Sequence, residues 1–256
     1  MSGLAPSQAP RPPRARLLLS VALAAVSAVL VAQLVGKDSR YLAPLIIFSG
    51  AMFIPALIGR WRMRKLLMSG DVERVIGTWE GSIGLVPYKE TMAPLLKATA
   101  YASYGWIEAA RRALERAVRG PAWEVALEQR LFVETLLDTF EGRRDGAMRK
   151  AEAIESLPMP PAGIFARRRV AVLRRGLAAF ARAFAHSSRD GDARVLAKAA
   201  GASPLVHWAM RYAAAIVAVD RGRARDVAAL LSGAPEWPDA SAFHEYHHEL
   251  LAYAGG

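Results

Sequence analysis

The stretch YASYGWIEAARRALERAVRGP, residues 101–121, predicts two short helices that fold on each other around a turn. Gly105 permits a sharp turn after the first helix, because glycine adopts left-handed backbone angles without steric cost. Ala110 is small at the point where the two helices approach most closely, and Pro121 ends the second helix. The stretch therefore predicts a helical hairpin.

The same spacing returns further along the chain. The matching turn and small positions are Gly142 with Ala147, Ser188 with Ala193, and Gly222 with Val227. Self-similarity at a nearly fixed period of this length is typical of stacked helical hairpins. The alternative is an ordinary all-α domain in which glycine and alanine recur by coincidence.

Two segments resemble the tetratricopeptide repeat family. They are LKATAYASYGWIEAARRALERAVRGP, which keeps Tyr101, Gly105 and Ala110 in the family order, and LFVETLLDTFEGRRDGAMRKAEAIESLP, which has Asp138 in place of the tyrosine. The resemblance implies an α-solenoid in which the first helix of each pair lines a concave groove that binds a peptide. It covers about two thirds of the chain.

By this resemblance, the predicted partner-binding residues are Gln129, Phe132, Arg175, Arg182 and Tyr212. Arg175 and Arg182 lie seven residues apart, so one face of a long helix presents both. Such a groove suits an acidic protein or peptide. Contact with anionic lipid and a solvated arginine face are the alternatives. We expect no nucleic acid partner, because no nucleic-acid-binding motif accompanies these arginines.

The N-terminal part predicts a membrane anchor. Residues 1–15 predict a disordered, Pro-rich tail. Within residues 16–60, the stretches 17–36 and 41–59 carry no charge and are long enough to cross a bilayer as helices. Basic residues flank the outer ends of both, which predicts an integral protein of the plasma or bacterial inner membrane with both termini in the cytoplasm. The predicted fold class is all-α, with a transmembrane hairpin followed by an α-solenoid over residues 61–256.

Composition and motifs argue against most catalytic classes. The chain of 256 residues has a net charge of +11 and no cysteine, which excludes disulfides and thiolate chemistry. HEYHH, residues 244–248, matches the H-E-x-x-H pattern of zinc proteases, but only eight residues follow it. The non-catalytic interpretation is that these residues form the polar face of a terminal capping helix.

These observations predict a membrane-anchored, non-catalytic scaffold without metal or cofactor. A membrane zinc metalloprotease and a lipid-surface-binding structural protein are the alternatives.

Overall fold

The computed structural model describes Ile54 and residues 57–255. The chain divides into two units, Met1–Trp61 and Arg62–Gly256, and every contact described below lies within the second. In the first unit, Ile54 and residues 57–61 are helical and exposed. Throughout the described part of the chain, all regular secondary structure is helical.

The second unit is built from consecutive helices. Residues 62–67 are helical, and the following elements are α1 (Val72–Ile83), α2 (Lys89–Ser103), α3 (Ile107–Glu115), α4 (Pro121–Val125), α5 (Leu127–Phe140), α6 (Arg144–Ser156), α7 (Ile164–Phe184), α8 (Asp192–Ala202), α9 (His207–Asp220), α10 (Ala224–Leu231) and α11 (Ala242–Gly255). A short 3-10 helix, Pro204–Val206, leads into α9.

The helices pack as stacked hairpins. The pairs are α2 with α3, α5 with α6, α7 with α8, and α9 with α10. The first members of the pairs contact one another in chain order and form an inner row of α2, α5, α7 and α9. Each second member packs on its own partner and on the inner helix or final helix that follows. This all-α arrangement is compatible with the predicted helical repeat.

Three of the four hairpin turns contain a glycine with left-handed backbone angles. The φ angles of Gly105, Gly142 and Gly222 are 75°, 73° and 66°. At each of these turns, the N–H of the next residue donates to a carbonyl near the end of the inner helix, as Trp106 does to Tyr101 at 2.9 Å. The bond satisfies a carbonyl that the helix end would leave unpaired.

The third turn differs from its prediction. His186, with φ 53°, takes the left-handed position, two residues before Ser188. Its neighbour Ser187 donates its N–H to the Arg182 carbonyl at 2.9 Å, as at the other turns. Ser188 lies in this turn, but the prediction that it takes the position of the turn glycine is wrong. A longer loop follows, and Ala193 near the start of α8 is only half-buried, whereas Ala147 is fully buried.

Small residues let the helices approach closely. A Cβ on Gly176 of α7 would lie 2.4 Å from the Cβ of Ala199 in α8, a distance that real side chains do not show. Large side chains such as Leu95, Leu136 and Leu177 fill the core beneath the inner row and are fully buried. Packing, and not helix propensity, therefore holds the pairs together.

The membrane part of the predicted fold class is corrected by the structure. Among the described residues, no helix has both the length and the apolar character that crossing a bilayer requires. The predicted spans, 17–36 and 41–59, lie outside the described residues except for Ile54 and residues 57–59. The described chain is all-α without a transmembrane hairpin, and the predicted localisation stays a prediction.

Candidate functional site

The chain's own C-terminal part covers the inner row of helices. We call residues 234–250 the closing segment; it follows α10 and returns to the first hairpin. Ala242 donates its N–H to the Gly105 carbonyl at 2.9 Å, and the Ser241 hydroxyl donates to the Tyr104 carbonyl at 2.7 Å. The second bond joins residues 137 positions apart in the sequence. The last and first hairpins are thereby tied together.

Aromatic rings fix the closing segment on the inner row. Phe243 is fully buried and stacks on Tyr212 of α9, with ring centroids 4.6 Å apart. Its other side meets Phe140 of α5 edge-on at 5.5 Å. The Trp237 indole N–H donates to the Tyr212 hydroxyl at 2.7 Å. The closing segment therefore covers the inner row at Tyr212 and Phe140, where the family resemblance predicts an open groove.

Three of the predicted binding residues are engaged inside the protein. Tyr212 is fully buried, and burial raises the pKa of its hydroxyl far above the usual range. Gln129 donates its side-chain amide to the Thr99 hydroxyl at 3.1 Å. Phe132 is half-buried and packs against the core. These three side chains do not form one open surface in the closed arrangement.

The predicted arginine strip on α7 is divided between two environments. Arg175 is exposed and makes no ion pair with any described residue. Arg182 is largely buried and forms a bidentate pair with Asp192 at 2.7 and 2.9 Å. The hydrogen bonds with Asp192 raise the pKa of Arg182. Burial acts to raise the pKa of Asp192, but the bonds from Arg182 and from the Arg189 N–H outweigh burial and lower it. The two arginines are not equivalent, since a carboxylate of the chain already occupies the second.

The histidines of the H-E-x-x-H match lie on α11. The rings of His244 and His248 are 4.9 Å apart, and His244 Nδ1 lies 2.8 Å from the Trp237 carbonyl. In the part of the chain that is described, no group of three or more His, Asp or Glu side chains is placed to hold a metal ion. His247 Nδ1 lies 2.8 Å from the Tyr212 hydroxyl. Burial, and then the nearby His248 and His244, lower the pKa of His247.

A half-open apolar pocket lies where the inner helices end. It has a volume of about 270 Å³. Phe140, Phe184 and Ile216, at the ends of α5, α7 and α9, form its apolar wall, and Tyr246 of α11 closes one side. Tyr246 meets Phe184 edge-on at 5.2 Å, which fixes the shape of the pocket. A pocket of this size accommodates one large apolar side chain.

A basic cleft of about 840 Å³ adjoins this pocket. Its cationic side chains are Arg111, Arg143, Arg144, Arg149 and Lys150. Both the pocket and the cleft include Gly142 and Arg144 in their walls, so the two are parts of one surface. We call the pocket and the cleft together the Gly142 site.

Asp138 organises the basic cleft from beneath. Its carboxylate is only 5% exposed and accepts from Arg143 at 2.6 Å and from Lys150 at 2.6 Å. A Cβ on Gly146 would lie 2.8 Å from the Asp138 carboxylate, so a larger residue there would displace it. Arg144 and Arg149 are exposed and form no ion pair within the described chain. The cleft therefore has two cations available for an anionic group.

Comparisons with known proteins give no relatives: no protein-family model, no curated protein and no solved structure matches this chain. The chemistry of the Gly142 site must therefore be argued from its own residues. Sequence reasoning placed binding on the inner helices α5, α7 and α9, at Gln129, Phe132, Arg175, Arg182 and Tyr212, and missed Arg144 and Arg149. The run RRDGAMRK directly after Gly142 contained the signal, because it places four basic residues in the first turns of an outer helix.

Proposed function

We propose that the protein is a non-catalytic scaffold of tetratricopeptide-like helical hairpins that binds an acidic peptide segment of a partner protein at the Gly142 site. The carrying observation is that an apolar pocket and a cationic cleft share Gly142 and Arg144. A peptide with a large apolar residue next to a carboxylate matches both parts at once.

The charges of the site support this ligand class. Lys150 and Arg143 are held by Asp138, which fixes their position at the base of the cleft. Arg144 and Arg149 remain to pair with a carboxylate of the ligand. Arginine donates in a planar fork that matches a carboxylate, and such charge-assisted bonds each contribute about 1.5–3 kcal/mol.

The closing segment explains why binding is assigned to this edge of the molecule. The inner row, where the repeat family binds peptides, is covered by Phe243 and Trp237. The closing segment reaches the first hairpin turn at Gly105, but at the second turn, at Gly142, the pocket beside Tyr246 stays half-open. A ligand at the Gly142 site can therefore bind without displacing the closing segment.

A peptide selection tests the proposal. Random peptides displayed on phage are selected on the immobilised full-length chain, and the recovered sequences are expected to combine an aromatic or leucine residue with a neighbouring Asp or Glu. The double variant Arg144→Glu, Arg149→Glu is expected to bind a recovered peptide at least about a hundredfold more weakly, because two charge-assisted contacts are lost and repulsion is added.

A second variant and a matched control complete the design. Val219→Phe fills the apolar pocket and is expected to weaken binding while leaving the cleft unchanged. The control is Arg194→Glu, Arg225→Glu, which makes the same charge change at two exposed arginines outside the site. Equal loss in the control and in the cleft variant, with circular dichroism unchanged, would show that only net charge is sensed and would refute the site.

A further inference from the structure

The stacking of hairpins gives the second unit two different edges. One, the turn edge, carries the four turns within hairpins: residues 104–108, 141–146, 185–192 and 221–226. The other, the linker edge, carries the connections to the next hairpin and the start of the helix that follows: residues 84–91, 116–125, 157–169 and 203–207. Because the two helices of each hairpin are antiparallel, these two sets lie at opposite ends of the pairs.

Hydrogen bonds connect each linker to the next one or to a helix residue beside it. Val118 donates its N–H to the Glu90 carbonyl at 3.2 Å, which ties the second linker to the first. Arg174 pairs with Glu128 at 2.8 Å and also donates to the Leu157 and Pro158 carbonyls, which ties the third linker to the start of α5.

The fourth linker is tied in the same way. Arg169, in the third linker, donates to the Ala202 carbonyl, which lies directly before the fourth linker. The linkers are therefore neighbours in space, and their exposed side chains belong to one surface.

Exposed apolar side chains are concentrated on the linker edge. Six large apolar residues there are at least half exposed: Leu85, Tyr88, Val118, Val125, Ile164 and Phe165. In the described chain after Trp61, the only other large apolar side chain exposed to that extent is Tyr253, near the C-terminus, and none lies on the turn edge. Exposure of Leu85, Val125 and Phe165 reaches 86–88%. Side chains of this kind are costly in water and indicate contact with an apolar phase or partner.

The charges divide between the two edges in the same way. The linker edge has six Lys and Arg against two Glu, whereas the turn edge has six Arg against six Asp and Glu. Arg167 and Arg168 lie two and three residues after Phe165 and form no ion pair within the described chain. Exposed apolar side chains next to unpaired arginines are typical of surfaces that insert into the headgroup region of an anionic bilayer.

The shape of the edge favours a bilayer over a protein groove. The exposed residues stand on three separate linkers, and no described pocket is lined by any of the six. Prolines stiffen these linkers, among them Pro87, Pro121 and Pro161, so the apolar side chains are held outward at little further entropy cost. A deformable lipid surface can accommodate apolar side chains that stand apart from one another, whereas a protein partner would need a matching cavity for each side chain.

We infer that the linker edge docks on a bilayer that contains anionic phospholipid, with Leu85 and Phe165 inserted between headgroups and Arg167 and Arg168 on the phosphates. This surface lies at the other end of the hairpins from the Gly142 site. Docking there leaves the Gly142 site facing water. The inference therefore goes beyond the proposed peptide binding and does not depend on it.

Because the chain has no cysteine, single labels can report each edge separately. Full-length Phe165→Cys and Leu85→Cys carry an environment-sensitive nitrobenzoxadiazole label, and Arg225→Cys carries the same label on the turn edge. Vesicles of equimolar phosphatidylserine and phosphatidylcholine should shift the emission of the first two labels to the blue and leave the third unchanged. Vesicles of phosphatidylcholine alone should give little change. Because each label reports its own surroundings, contact elsewhere in the chain does not produce the signal.

A charge variant checks the role of the arginines. In the Phe165→Cys background, Arg167→Gln with Arg168→Gln should raise the phosphatidylserine vesicle concentration needed for half of the shift by about tenfold. Three outcomes would overturn the inference: no shift at either linker label, an equal shift at the turn-edge label, or an equal shift with phosphatidylcholine alone. A shift on concentrating the protein without vesicles would show instead that a second copy of the chain covers this edge.

Discussion

The substitution Phe243→Ala tests whether this side chain holds the closing segment on the inner row. Phe243 is fully buried and contacts the rings of Tyr212, Phe140 and Trp237. Removing a buried phenylalanine ring costs about 3–5 kcal/mol through lost transfer energy and the cavity that remains. The stacked contact with Tyr212 places the expected loss in the upper half of that range, at about 4 kcal/mol.

Urea unfolding of the full-length chain measures this loss. With a slope of about 2 kcal/mol per molar urea, the midpoint should fall by about 2 M. The matched control is Phe165→Ala, the same substitution at a side chain 86% exposed, which should change stability by less than about 0.5 kcal/mol. If the two variants have the same midpoint, Phe243 does not hold the closing segment on the inner row and the closed arrangement is refuted.

Three further outcomes are expected. Gly105→Ala should destabilise the protein by about 1–3 kcal/mol more than Gly142→Ala in thermal unfolding. Both glycines have left-handed φ angles, but only at Gly105 would the new Cβ meet the closing segment, at a distance of 3.0 Å. Arg174→Met should cost about 2–3 kcal/mol in urea unfolding, because the buried guanidinium donates to a carboxylate and two carbonyls, whereas Arg175→Met should be nearly neutral. The pKa of His247 lies below 6.5 in the folded protein, so as the pH falls the unfolded chain takes up a proton at a higher pH than the folded chain does. The contribution of His247 to the free energy of unfolding is therefore fully present above pH 6.5 and is lost as the pH falls through the folded pKa. His247→Gln should reduce this loss, measured as the urea midpoint across this pH range.

The hairpins were accessible to sequence reasoning because local physics determines them. Glycine adopts the left-handed angles of the turn at the lowest cost, and closely packed helices require a small residue. The spacing of Gly105 and Ala110 therefore recurs at Gly142 and Ala147 and can be recognised in the sequence. The third hairpin breaks the period, since His186 takes the left-handed angles. Histidine can adopt left-handed angles at some energetic cost, but the presence of a histidine in a sequence does not predict that it does so.

The closing segment was not accessible in this way. The bond from Ser241 to Tyr104 joins residues 137 positions apart, and no periodicity within one element predicts such a contact. The sequence of α11 predicts a capping helix with a polar face; its other face buries Phe243 and Leu250. The sequence signal for this contact was aromatic content: Trp237, Phe243 and Tyr246 lie within ten residues. Large aromatic side chains that cluster in this way are usually buried together.

The placement of the arginines follows from the inner row. Sequence spacing treats α7 as a surface helix, but contact with α5, α8 and α9 makes it an inner one. A cation that is buried on an inner helix must be paired, because burying an unpaired charge costs several kcal/mol. Arg174 therefore meets Glu128, and Arg182 meets Asp192. Unpaired cations are stable only where water reaches them, as at Arg175 on the exposed side of α7. The two surfaces proposed here, at Arg144 and at Arg167, use such exposed cations and lie at opposite ends of the hairpins, away from the covered inner row.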